Sequence, residues 1–96
     1  MTKEEILSKL QKNKDYIQNH FSVDKIGLFG SYAKDIQTNS SDIDFYVEFK
    51  EKSVDNLTGL WLYLEEQFNK KVEIIYPHKN SNKIILENIK KSVIYG

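Results

Sequence analysis

Between Gly30 and Asp44 the chain carries a Gly-Ser pair, Gly30 and Ser31, then ten residues, then Asp42-Ile43-Asp44. Carboxylates two apart on a strand project from the same face, because side chains alternate with period two. Two like charges held so close repel unless a cation offsets them. Magnesium takes hard oxygen ligands, one or two carboxylates together with phosphate oxygens, so Asp42 and Asp44 suit a divalent ion held against a phosphate chain. A pair of such ions would activate an attacking oxygen and steady the phosphate being displaced. The bland alternative is a solubilising face on an edge strand. Against it stands the opposite face of the same run, where Ile43, Phe45, Val47 and Phe49 mark a core strand.

Three further positions extend this chemistry. Gly30 can adopt backbone angles closed to other residues and lets a ligand approach the main chain. Ser31 adds a hydroxyl, and the amides opening the following turn would attract an anion. Glu73 lies in Lys71-Val72-Glu73-Ile74-Ile75-Tyr76, an acid among apolar neighbours on a strand. Such a group needs a partner or an ion, so Glu73 is placed as third metal ligand and as the base that takes a proton from an attacking hydroxyl. An exposed edge-strand glutamate is the plain alternative. Lys34 is a candidate phosphate contact, although surface lysine is the ordinary expectation. Tyr32, Tyr46 and Trp61 are candidates to stack on a base, Tyr46 best because it shares the acidic face. Core or rim packing is the commoner use of each. His20 and His78 are far apart in sequence and nothing pairs them on a metal.

The elements that must position these residues follow from patterning. Thr2 and Glu5 form a capping box ahead of a helix over Lys3 to His20. Ser22 to Asp24 reads as a link and Lys25 to Phe29 as a strand, with a very short helix behind Gly30. Gln37 to Ser41 is a polar loop, and Asp42 to Lys50 a second strand. Val54 to Phe68 is an amphipathic helix, Lys71 to Tyr76 a third strand stopped by Pro77, and Asn82 to Tyr95 a last helix. The broad apolar surface of that last helix could face a partner or complete the core. The expected class is α+β (mixed α/β): a small mixed β-sheet of three or more strands packed against about four helices, in a single domain spanning 1–96.

Composition narrows the partners. The 40% apolar and 29% charged residues are ordinary for a soluble globular domain. No apolar run of about 18 residues and no basic-apolar leader is present, so a membrane role is not expected. The absence of cysteine excludes disulfides and thiolate zinc sites and fits a cytoplasmic setting. The 14 lysines balance 14 acids, and arginine is absent. Without a net field or bidentate guanidinium groups, direct nucleic-acid readout is not expected. A protein partner and self-association both stay open.

These residues resemble the signature of the minimal nucleotidyltransferases of the DNA polymerase beta superfamily: Gly-Ser, ten residues, Asp-x-Asp, and a third carboxylate on a later strand. More narrowly, the chain looks like the MntA-type antitoxins encoded beside HEPN-domain toxins. The resemblance is strong from Lys25 to Tyr76 and rests on general layout in the outer helices. It implies the nucleotidyltransferase fold and transfer of AMP from ATP, with Mg2+ and release of pyrophosphate. The acceptor it implies is a hydroxyl, in the MntA-type members a tyrosine of the HEPN partner. Gly30 and Ser31 would hold the outer phosphates, Asp42 and Asp44 the metals, and Glu73 would assist both while deprotonating the acceptor. Three departures stand out. The third acid is Glu73 where the family usually has aspartate. Lys34 and Asp35 occupy the place of a basic residue and glycine, which brings the Asp35 charge near the expected phosphates. The added domain by which larger relatives grip their substrates is missing, a half that a separate protein could supply. Two competing readings follow: a catalytically weak or inactive antitoxin that neutralises its partner by binding, and a small-molecule nucleotidyltransferase of the aminoglycoside type.

Overall fold

The computed structural model describes residues 1–96. Helix α1 (Lys3–His20) opens with the expected capping box: Thr2 Oγ1 accepts from the Glu5 amide, and Glu5 accepts in return from the Thr2 amide. Glu4 and Glu5 in the first turn and His20 in the last complement the helix dipole. Strand β1 (Val23–Phe29) begins two residues earlier than the pattern suggested, because a bulge between Val23 and Lys25 keeps Val23 on the core side. A four-residue helix, α2 (Gly30–Ala33), follows at once, and β2 (Ile43–Phe49) returns antiparallel to β1.

Helix α3 (Val54–Phe68) starts at Ser53, whose hydroxyl accepts from the Asn56 amide, and stops at Asn69 in a left-handed conformation. It carries the chain back to β3 (Val72–Ile75), which lies parallel to β2. Helix α4 (Lys83–Ser92) is capped by Asn82, and a two-residue strand β4 (Ile94–Tyr95) closes the chain against β1. The sheet order is β3-β2-β1-β4, a mixed sheet of four strands with four helices, within the expected class of a mixed sheet of three or more strands packed against about four helices.

The end of the chain differs from expectation. The last helix does not continue to Tyr95: Val93 turns to an extended conformation, and Ile94 and Tyr95 pair with Leu28 and Gly27. β-Branched residues favour a strand over a helix end, and a free edge of β1 was waiting for them. Gly27 makes the approach possible, since a side chain there would meet Val93 Cγ2 at 2.6 Å and the Ile94 carbonyl oxygen at 2.9 Å.

One core lies on a single face of the sheet. Ile6, Leu10 and Ile17 from α1 and Leu60, Leu64 and Phe68 from α3 cover Ile26, Leu28, Ile43, Phe45, Val47 and Ile74, all buried. The outer edge of β3 is pinned by α3. The Val72 amide donates to Glu65 Oε2 at 3.1 Å, and the Val72 carbonyl accepts from Trp61 Nε1 at 2.8 Å. These bonds satisfy main-chain groups that an edge strand would otherwise leave open, and they fix the register of β3. No helix is long and apolar enough to cross a membrane.

Candidate active site

Register decides what the second face of the sheet presents. Phe29 pairs with Asp44 across β1 and β2, and Asp44 pairs with Glu73 across β2 and β3. Partners in neighbouring strands project from the same face, so Asp44 stands between the Gly30 corner and Glu73. The core occupies the other face through Ile43, Phe45, Val72 and Ile74. Asp42 lies one residue before β2 and is exposed, as is Glu73, while Asp44 is half-buried.

Burial raises the Asp44 carboxyl above its ordinary value, and the negative charges of Glu73 and then Asp42 push it further. Asp44 thus senses the charge of both acids expected to act with it. No three histidine, aspartate or glutamate side chains close into a ready-made cage for an ion. Asp42, Asp44 and Glu73, expected as three ligands of one metal, are thus not gathered into a three-ligand group. The donor set is all hard oxygen, and a bound cation would relieve the like-charge strain on Asp44.

Gly30 is tied to Asp44 directly. Its φ is +76°, and a Cβ there would collide with Asp44 Oδ2 and sit 3.0 Å from Cγ. Only glycine gives both the left-handed turn and the room for the carboxylate. Ser31 is half-buried on the first turn behind it. Lys34 closes α2, its amide reaching the Gly30 and Ser31 carbonyls, and its side chain is exposed beside a cleft of about 340 Å3 that opens on Gly30. Asp35, expected to bring charge toward the phosphates, instead forms an ion pair with Lys3 Nζ at 3.2 Å.

The aromatic candidates resolve differently. Tyr46, read as the best base-stacking residue, is completely buried, its ring edge-on to Tyr95 and its hydroxyl donating to Glu48 Oε2 at 3.0 Å. Its neighbours on that face are Gly27 and the β4 chain end, a cover that follows from the unforeseen strand. Tyr32 is buried in the core, and Trp61 is committed to the β3 edge. His20 stacks on Tyr16, whereas His78 lines a groove between β3 and α4. Sequence reasoning missed the structural part of Trp61 and Glu65, which hold the strand that carries Glu73. Their spacing on a helix, four residues apart and just ahead of β3, is the signal that was there to use.

The Polymerase beta nucleotidyltransferase family model matches residues 11–96. The chain belongs to that family. A Methanocaldococcus jannaschii relative, provisionally named a protein adenylyltransferase, is 36% identical over 97 residues, covering 98% of this chain and 97% of its own length. The Thermococcus cleftensis protein adenylyltransferase MntA is 34% identical, with 99% of this chain and 96% of that protein aligned. Among solved structures, a minimal nucleotidyltransferase of provisional assignment superposes with a TM-score of 0.83 at 21% identity, covering 98% of this chain and 95% of that one. A toxin–antitoxin structure with AMP-PNP gives 0.67 at 19% identity, covering 99% of this chain and 72% of the other. At these identities the structural likenesses establish the shared fold.

Proposed function

We propose that the protein is a Mg2+-dependent adenylyltransferase that moves AMP from ATP to a hydroxyl of a protein partner. The partner suggested is a HEPN-type toxin and the acceptor a tyrosine, so that the protein acts as an antitoxin. The observation that carries this reading is the packing of the Asp44 carboxylate against Gly30 on one side and its register with Glu73 on the other. The named activity of the archaeal relatives, alignable over nearly their whole length, supports transfer to protein.

Gly30 and Ser31 would hold the outer phosphates, Lys34 would offset part of their charge, and Asp42 and Asp44 would hold the metal with Glu73 beside them. Bound there, magnesium would supply charge neutralisation at the phosphates and a more acidic acceptor hydroxyl. The acceptor oxygen forms a bond to the α-phosphorus as the bond to pyrophosphate breaks. The Glu73 carboxylate takes the proton the hydroxyl loses. Glu73 is exposed, which supports its access to an acceptor on another protein.

Incubation with labelled ATP, Mg2+ and the product of the neighbouring gene should label that product if it is the HEPN-type partner. The double variant Asp42→Ala, Asp44→Ala should lose that labelling by on the order of 10³-fold, the equivalent of several kcal/mol of lost charge stabilisation. Undiminished labelling by the double variant would refute the catalytic assignment. Protection from the toxin by a variant that no longer labels it would favour neutralisation by binding.

A further inference from the structure

Helix α4 is strongly one-sided in pattern, yet none of its residues is buried. Ile85 is 56% exposed, and Leu86 and Ile89 are only partly covered. A ten-residue helix with an apolar stripe that is not sealed into the core needs a reason to keep its place.

The cleft beside Gly30 offers one. Its floor is Phe29, Gly30 and Lys34, and its far wall is α4 through Ile85, Asn88 and Ile89, with Ser92 at one end. At about 340 Å3 it falls in the lower range of small-ligand sites. It combines apolar walls with one cation, one amide and one hydroxyl, the mixture that holds a flat heteroaromatic ring with a polar rim. The phosphate-binding corner proposed above is part of the same floor, so a chain of phosphates seated at Gly30 has this space immediately beside it.

We infer that α4 is the wall against which the nucleoside of the bound triphosphate lies, with Asn88 as its specificity-determining residue. Ile85 and Ile89, one turn apart on that wall, pack on one face of the base. The Asn88 side chain, which carries both a donor pair and an acceptor, meets a donor–acceptor edge of a purine. This inference rests on the nucleotidyltransferase reading and adds to it the residues that choose among nucleotides.

The test is titration of the full chain with Mg2+ and the non-transferable α,β-methylene analogues of ATP, GTP, CTP and UTP, followed by steady-state transfer. Wild type should prefer a purine. Asn88→Leu, an exposed change on a helix surface, should weaken binding of the preferred analogue about tenfold, flatten the preference and raise KM more than it lowers kcat. Ile89→Asp should weaken all four analogues together. Circular dichroism should show both variants folded. Unchanged affinities and preference in both variants would overturn the α4 wall while leaving nucleotidyl transfer intact. A wild-type chain that binds none of the four analogues would overturn both.

Discussion

Asp44 and Phe45 are consecutive on β2 and live under opposite rules. Phe45 points into the α1–α3 side of the sheet, is fully buried and packs against Phe68 with ring centroids 5.5 Å apart. Asp44 points the other way, half-buried, its pKa raised first by that burial and then by the charges of Glu73 and Asp42. One face of the sheet is built for stability by apolar burial. The other keeps like charges close at a cost to stability, and the neighbouring α4 adds no buried side chain to offset it. Such conflict between local charge and packing is expected where a fold holds a ligand.

Three perturbations sharpen this contrast. The largest effect on stability belongs to the core face. Phe45→Ala should lower unfolding free energy by about 3–5 kcal/mol, measured by denaturant titration. Its transfer activity should fall only as far as the folded fraction does. A loss of activity in fully folded protein would mean that the two faces are not separable.

At the seam between the faces, Gly30→Ala should cost about 1–2 kcal/mol from the left-handed backbone alone. It should also displace the Asp44 carboxylate, so that nucleotide and metal affinity drop more than stability does. Calorimetric titration beside a melting curve separates the two losses. An alanine variant with wild-type affinity would show that the corner does not shape the site.

The smallest effect has the opposite sign. Because the native pKa of Asp44 lies above its ordinary value of 3.8, the folded state binds more protons than the unfolded state between those two values. Stability contributed by this group is therefore greatest at the acid end of that window and falls as pH rises through the native pKa. Asp44→Asn should remove that dependence and make the metal-free protein more stable at neutral pH, while abolishing transfer. Added Mg2+ should raise the melting temperature of wild type and leave the variant unchanged. A variant less stable than wild type at neutral pH would contradict the like-charge account.

Much of this organisation was legible in the chain itself, where the deciding interactions are local. The capping box and apolar spacing gave α1 over Lys3–His20, and Val54–Phe68 gave α3, each to its final residue. Strand alternation put Phe45 and Asp44 on opposite faces. What escaped depends on contacts between distant segments. The β4 pairing relies on the missing side chain of Gly27, some 67 residues before Ile94, and a local pattern rich in apolar residues reads there as more helix. Tyr46 took the packing expected as the commoner use of such a residue, but its cover, that same chain end, was not foreseen. The side-by-side placement of Asp44 and Glu73 needs the register of two parallel strands, which α3 sets through Trp61 and Glu65. Composition could not show that Asp35 would be held by Lys3.

The most direct test of the central claim is a crystal structure of the chain with α,β-methylene ATP and Mn2+, located by anomalous scattering. Metal on the Asp42 and Asp44 carboxylates, with the triphosphate against the Gly30 and Ser31 backbone and Glu73 within reach of the α-phosphate, is the predicted result. Nucleotide bound elsewhere, or ordered at Gly30 with no metal touching either aspartate, would contradict it.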